Sequence, residues 1–320
     1  MSNTTLGIDV GKFELAIALR KDGKFTDKLV ENNSKGFQKI LKFLEKNAPE
    51  AEVYLEATGR YGESITNFLF AHGFDVKVVN PLKIKAFSQL KMSRQKTDKV
   101  DAQIIAEFGA KFGGRSYTPI AENLKELREL YRTNCALKDE LTSCKNHLEN
   151  KELIALSVRE IWENIVQKLE EEIKNCSEKM KKIIEEDKEL KVKKGLLIEI
   201  PGVGEETARA FLAEVPRLNE FRTARELAAF IGLTPQHRFS GSSVRGRPRI
   251  SKMGLKILRK AFYLPAITAM RFNPSLKIFS ENLRNRGKKG KQIICAVMRK
   301  LVHIIFGVLK YDFHKLALDL

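Results

Sequence analysis

Four acidic residues carry the pattern with the most chemistry in it. Asp9 interrupts the apolar segment LGIDV, Glu56 ends VYLE ahead of the turn ATGRYG, and Asp98 and Asp101 stand three apart in KTDKVDAQ. A carboxylate inside an apolar strand is costly to bury without a partner or a metal. Functional groups collect at strand ends in open α/β sheets, and a spacing of three puts both aspartates on one helix face. Brought to one point, four carboxylates repel one another until a divalent cation neutralises them. Oxygen-only ligands suit Mg²⁺, and two such ions can stabilise the attacking and leaving oxygens of a phosphodiester. Singly, each acid also has a structural reading, with Asp98 as a helix N-cap and Glu56 as a turn acceptor.

A second group lies far along the chain. In GLTPQHRFSGSSVRGRPRISKMG, Ser240 sits beside Gly241, and Arg245, Arg247, Arg249 and Lys252 follow. Arginine forks bind phosphate bidentately. A serine hydroxyl is a weak nucleophile until a base or a metal activates it, and His237 is the one nearby base. By residue type alone Ser240 reads first as a loop serine. Upstream, IPGVGEETARAFLAEV places Gly202 and Gly204 between an apolar segment and a helix expected from about Glu205. That is the pattern of a helix-hairpin-helix, whose backbone N–H groups face a phosphate; a plain glycine turn in a helical hairpin fits the same letters.

The elements that must position these groups fall into three stretches. Residues 1–115 read as three antiparallel strands (TTLGIDV, ELAIAL, KFTDKLV) followed by alternating helices and strands, with helices expected at 35–46, 63–71, after Pro81 and at 98–112. This is the pattern of a mixed α/β sheet. Residues 116–194 hold no Gly or Pro from 120 to 194, and Leu127, Leu130, Asn134, Leu137, Leu141, Cys144 and Leu148 follow a heptad seam. A similar run from Trp162 to Ile183 follows a break near Ser157, so two long coiled-coil helices are expected, as a hairpin, a dimer interface or both. Residues 195–320 form a third, mostly helical stretch, with an irregular loop expected until a helix opens near Ser251.

The 320 residues carry a net charge of +18, of which residues 241–320 supply +15 through 18 Lys and Arg against three acids. A basic quarter on a near-neutral body points to a polyanion, and a Gly- and Pro-punctuated arginine loop suits nucleic acid better than a lipid surface. Four scattered cysteines without a CxxC pair exclude a zinc ribbon or a disulfide framework and fit a reducing compartment. The N-terminal stretch lacks the order of a signal peptide. The apolar stretch 293–309 is broken by Arg299, Lys300 and His303, so no membrane span and a cytoplasmic location are expected.

Together GIDVGK, LEATGRYG and KTDKVDAQ resemble the RuvC-like, RNase H-fold DEDD domain of insertion-sequence transposases. The later IPGVG, GLTPQHRFSG and GRPRISKMG resemble the C-terminal transposase domain of the same family, the insertion-sequence-one-ten family of bridge-RNA-guided recombinases. The resemblance spans nearly the whole chain and is weakest in the heptad region. It implies an α/β DEDD domain, a helical dimerisation segment and a helical transposase domain. It also implies Mg²⁺ at Asp9, Glu56, Asp98 and Asp101, and a nucleophilic serine that forms a 5′-phosphoserine link with DNA. The family pattern of Pro, four residues, then Ser-Gly falls on Pro235 and Ser240, with Ser242 and Ser243 following. Phe239 stands where the family often has another Ser, and Leu255 where it commonly has Asn. Donor and target DNA, a bridge RNA and a homodimer or homotetramer with an active site shared between protomers are the implied partners. Two rivals make different predictions: a RuvC-like junction resolvase that hydrolyses with water and needs no Ser240, and an architectural nucleic-acid-binding protein whose carboxylates merely cap and pair.

Overall fold

The computed structural model describes residues 4–57, 59–91, 97–236, 239–240, 244–245 and 249–312, with Ser240, Arg245 and Arg249 described by backbone alone. Its contacts divide the chain into two compact units, 1–119 and 120–320.

The first unit opens with a meander of β1 (Thr5–Val10), β2 (Glu14–Lys21) and β3 (Lys24–Glu31). Asp22 and Gly23 take positive φ of 50° and 79° in the turn between β2 and β3, the backbone hand that a two-residue hairpin turn requires. Helix α1 (Ser34–Asn47) carries the chain across to β4 (Glu52–Glu56), and α2 (Arg60–Ala71) to β5 (Val76–Val79). Helices α3 (Pro81–Leu90) and α4 (Asp98–Phe112) complete the unit. The sheet order is β3-β2-β1-β4-β5, with β1–β3 antiparallel and β4 and β5 parallel to β1. This is the mixed sheet expected of the first 115 residues.

The strand pleat sorts side chains to two faces. Leu6, Ile8, Val53 and Leu55 share one core with Ile40, Leu44, Ile65 and Leu69 of α1 and α2. Gly7 and Tyr54 turn to the other face, where α4 lies. A Cβ on Gly7 would stand 2.1 Å from the Ala102 carbonyl oxygen and 2.4 Å from the Ala106 nitrogen, so only glycine lets the helix backbone come this close. Ala16, Ala18 and Ala102 line the same contact, and the Thr5 hydroxyl donates to the Ala106 carbonyl at 2.9 Å.

In the second unit, α5 (Glu122–His147) and α6 (Leu156–Glu186) run antiparallel. Lys145 pairs with Glu170 near one end and the Asn123 amide donates to Asp187 at the other. Of the expected seam, Leu127, Asn134, Cys144 and Leu148 are buried and Leu130, Leu137 and Leu141 half-buried, and the Asn134 amide donates to the Ile173 carbonyl of α6 at 3.1 Å. The two helices also do not stand apart as the 116–194 reading has them. Leu127, Tyr131, Met180 and Ile184 belong to one core with residues 190–309, and Arg132 of α5 grips the buried Glu214 with two hydrogen bonds of 2.7 and 2.8 Å. A heptad pattern records that a helix has an apolar stripe but not which segment covers its flanks.

Helices α7 (Lys188–Ile198), α8 (Glu205–Glu214) and α9 (Ala224–Ile231) follow. Four two-residue strands come next: β6 (Pro235–Gln236), β7 (Phe239–Ser240), β8 (Val244–Arg245) and β9 (Arg249–Ile250). The unit closes with α10 (Lys256–Phe272), α11 (Pro274–Asn285) and α12 (Gly290–Gly307). The helix expected from Ser251 thus starts at Lys256, because Ser251–Gly254 is spent anchoring the loop. With the turn that follows it, α12 is long and apolar enough to cross a membrane by length and composition. Its Ile293, Val297, Leu301, Val302 and Ile305 are buried in the unit's core, the setting of a core helix.

Candidate active site

Register brings the first two acids together. Ile8 pairs with Leu55 on the parallel strands β1 and β4, so the next residues, Asp9 and Glu56, sit side by side at the strand ends. Both belong to the face that carries Gly7 and Tyr54, the α4 face, because successive strand residues alternate. Helix α4 crosses that face with Ala102 and Ala106 over Gly7 and with Gly109 against the Tyr54 ring. Its N-terminus therefore ends over Asp9 and Glu56. Asp98 and Asp101 lie in its first turn.

Thr97 caps this helix, its hydroxyl accepting from the Val100 N–H at 3.3 Å. The capping role open to Asp98 is thus filled by its neighbour. Asp27 of β3 holds the same turn from below, accepting from Gln103 and pairing with Lys99, all at 3.0 Å. The N-terminal end of a helix dipole favours the negative charges gathered there.

The electrostatics show that the four acids share one neighbourhood. Asp9 is half-buried, and its pKa is raised to about 6, first by burial and then by the charges of Asp101, Asp98 and Glu56. An oxygen-only donor set of this kind fits a hard divalent cation, which would relieve the repulsion that lifts Asp9. Among the described residues no three acidic, His or Cys side chains are drawn close enough to grip one ion. The acids stand within each other's field rather than at ligand spacing.

The second candidate group is presented differently. Ser240 pairs through its backbone with Val244 in the small β7–β8 ladder. The base of its loop is clamped: β6 pairs with β9, the Ser251 N–H donates to the Thr234 carbonyl at 2.8 Å, and the Leu255 N–H to the Phe230 carbonyl at 3.1 Å. One Arg259 guanidinium nitrogen donates to the carbonyls of Ile231 at 2.8 Å and Gly254 at 3.1 Å, tying the two loop ends together. Gly254, at φ 139°, leaves no room for a Cβ against the Phe230 carbonyl. Lys252 is exposed at the loop's exit. His237, Gly241, Ser242, Ser243 and Arg247, and the side chains of Ser240, Arg245 and Arg249, lie outside the described residues. Leu255 occupies the N-cap position of α10 and makes no side-chain cap bond, where an Asn could have made one.

The glycine turn forms between α7 and α8, but its glycines have unequal reasons. Gly202, at φ 101°, packs against Ala269, whose Cβ would lie 2.6 Å from an added Cβ. Gly204 meets nothing within 4 Å. Glu205 and Glu206 occupy the first turn of α8, where a bound phosphate would meet their charge.

Residue type and spacing identified the acids but not the parts that hold them. Gly7 was legible as a glycine inside an apolar strand, the usual sign of close backbone approach. Asp27 and Asn32 carried no such signal. The Asn32 amide donates to the carbonyls of Gly11 at 2.9 Å and Tyr61 at 3.1 Å, fastening the β1–β2 turn to the start of α2 beside the site.

Comparisons with known proteins place the chain in a family. A DEDD transposase model of the IS110 type matches residues 6–151, and the model described as transposase, IS116/IS110/IS902 family, matches residues 194–281. A pilin gene-inverting protein of Moraxella bovis is 29% identical over 98% of this chain and 97% of its own length. A transposase for insertion sequence element IS1111A from Coxiella burnetii is 26% identical over 65% of this chain and 62% of its own. T. thermophilus RuvC, solved with a Holliday junction substrate, covers 35% of this chain and 98% of its own at 18% identity, with a TM-score of 0.29, a likeness too slight to carry weight. With one family model on the DEDD region and the other on the segment that holds Ser240, in chain order, the protein belongs to the IS110 family of transposases.

Proposed function

We propose that this transposase cuts and rejoins donor and target DNA through a covalent phosphoserine at Ser240, with Mg²⁺ held by Asp9, Glu56, Asp98 and Asp101. The observation that carries the reading is that Asp101, Asp98 and Glu56 act on Asp9 from one neighbourhood, adding to the burial that raises its pKa to about 6. Their neighbourhood is built by register and by a glycine that only close helix packing explains. A divalent cation bound there would stabilise charge on the scissile phosphate and on its leaving oxygen.

The Ser240 hydroxyl oxygen attacks the phosphorus, its proton leaves to a base, and the bond from phosphorus to the 3′ oxygen breaks. The leaving 3′ oxygen takes a proton from solvent, so a free 3′-hydroxyl and a 5′-phosphoserine result. Attack by the 3′-hydroxyl of a second strand on that phosphoserine reverses the step and frees the serine, so the count of phosphodiesters is unchanged and no nucleotide cofactor is spent. A relative whose name describes gene inversion fits this conservative chemistry. The basic loop through Arg245, Arg247, Arg249 and Lys252 is assigned to phosphate contacts. Gly202 and Gly204 are assigned a lesser share, since Glu205 and Glu206 flank them.

A bridge RNA that pairs with both DNA sites, and assembly as a dimer or tetramer with a composite site, complete the proposal. Leu153, Leu156 and Ile161, 86%, 75% and 58% exposed near the turn between α5 and α6, support self-association. The test is incubation of RNA-loaded protein with junction DNA and Mg²⁺, followed by a denaturing gel. A protein–DNA adduct lost in Ser240→Ala and in Asp98→Asn is expected. Nicking without an adduct, persisting in Ser240→Ala, would replace this reading with a hydrolytic resolvase.

A further inference from the structure

Beside the acids, the β1–β2 turn holds an aromatic ring out into solvent. Phe13 is 74% exposed and Leu29, on β3, is 59% exposed. Both line an open cleft of about 370 Å³ whose wall includes Asp9, Asp98 and Lys12. Lys12 places its ammonium 4.9 Å from the Phe13 ring centroid and enters no ion pair among the described residues. Across the fastening made by Asn32 stands Tyr61, 48% exposed, on the segment that follows Glu56.

The main chain under these rings is fixed although the rings are not buried. The Asn32 N–H donates to the Phe13 carbonyl at 2.7 Å, and the Gly11 N–H donates to the Glu14 carbonyl at 2.9 Å. With the two bonds from the Asn32 amide, one asparagine secures both the β1–β2 turn and the start of α2. Phe13 gains little from burial, so its ring is poorly explained as core packing.

We infer that Phe13, with Lys12 beside it and Tyr61 in the first turn of α2, is a stacking platform for an unpaired nucleobase of the DNA strand lying at the four acids. The occupant follows from the surface: an exposed aromatic ring takes a base, and the Lys12 ammonium held over that ring, in no ion pair among the described residues, takes its phosphate. The cleft is also continuous with the carboxylates that would act on that strand. Stacking is indifferent to base identity, which suits a protein whose sites are chosen elsewhere. The inference rests on the proposed function for the strand's position but not for its chemistry. Asn32 acts here as a positioning residue.

The probe is a single-stranded oligothymidylate carrying one 5-iododeoxyuridine, irradiated with the full-length protein in Ca²⁺. The expected result is a photo-adduct on the tryptic peptides that begin at Phe13 and Tyr61. A strand carrying 2-aminopurine should be quenched by wild type and by Phe13→Trp, and bound about tenfold more weakly by Phe13→Ala. Phe13→Leu should behave as Phe13→Ala, and a matched duplex should respond to none of these changes. Adducts confined to other peptides, or unchanged quenching in Phe13→Ala, would overturn the platform. Asp9→Asn, assayed for Mg²⁺-dependent cleavage, separates the two ideas. Intact cleavage there with Phe13 adducts present would remove the proposed function and leave the platform standing.

Discussion

The acidic neighbourhood and the serine loop are built by opposite means. The acids are fixed by close packing of α4 on the sheet, backbone against backbone at Gly7 of β1 and Gly109 against the Tyr54 ring of β4. Ser240 sits in a two-residue ladder whose loop is secured at its base by one short pairing, a few main-chain bonds and a single arginine. Charges that must share a cation need a fixed geometry among themselves. Under the proposed chemistry, the nucleophile needs a fixed anchor at the base of its loop. Perturbing the packing of the first region should therefore cost stability and metal together, and perturbing the second should cost chemistry with little stability.

The largest effect should come from Gly7→Val. A side chain there must push α4 off the sheet, at a cost of about 3 kcal/mol in urea unfolding, and Mn²⁺ binding should vanish with it. Unchanged metal binding in a folded Gly7→Val protein would break the link between helix packing and the site.

Asp9→Asn should act in the other direction. Because the folded protein holds the Asp9 proton up to about pH 6 while the unfolded chain releases it near 4, Asp9 lowers stability as pH rises through that window and by its full amount above it. Discounted for solvent screening, the asparagine variant gains on the order of 1 kcal/mol at pH 7.5 without added metal. That gain should disappear at pH 3.5. Thermal melts at the two pH values read it directly.

Thr97→Ala removes the cap that sets the first turn of α4 and should cost about 1 kcal/mol, weakening Mn²⁺ binding because Asp98 and Asp101 ride on that turn. In the second region, Arg259→Ala should cost about 1 kcal/mol or less, yet adduct formation should fall at least tenfold with Mn²⁺ affinity unmoved. Smallest of all is Gly204→Ala, expected within about 0.5 kcal/mol of wild type. A clear loss of DNA affinity in that variant would restore a close phosphate approach at the α8 N-terminus.

The sequence was most informative where periodicity and register carry the meaning. The three antiparallel strands, the mixed sheet and the α4 span of 98–112 could be read from residue type and spacing, and the same signals picked out the four acids that the fold draws into one neighbourhood. The parts that rest on distant pairings could not. Asn32 reaches Gly11 and Tyr61 across 21 and 29 residues, and nothing in an isolated Asn announces it. The apolar stripes of these helices were legible but their outer neighbours were not, so two helices that share a core with residues 190–309 were expected as a segment of their own, a hairpin, a dimer interface or both. Two-residue ladders such as β7–β8 are too short for any alternation to show.

The most direct test of the account is a Mn²⁺ titration followed by electron paramagnetic resonance on the full-length protein and on Asp9→Asn, Glu56→Gln, Asp98→Asn and Asp101→Asn. If the strand acids and the helix acids form one site, each substitution weakens binding at least tenfold. Wild-type affinity in both Asp98→Asn and Asp101→Asn would show that the helix pair belongs to no shared metal centre, and the central claim would fall.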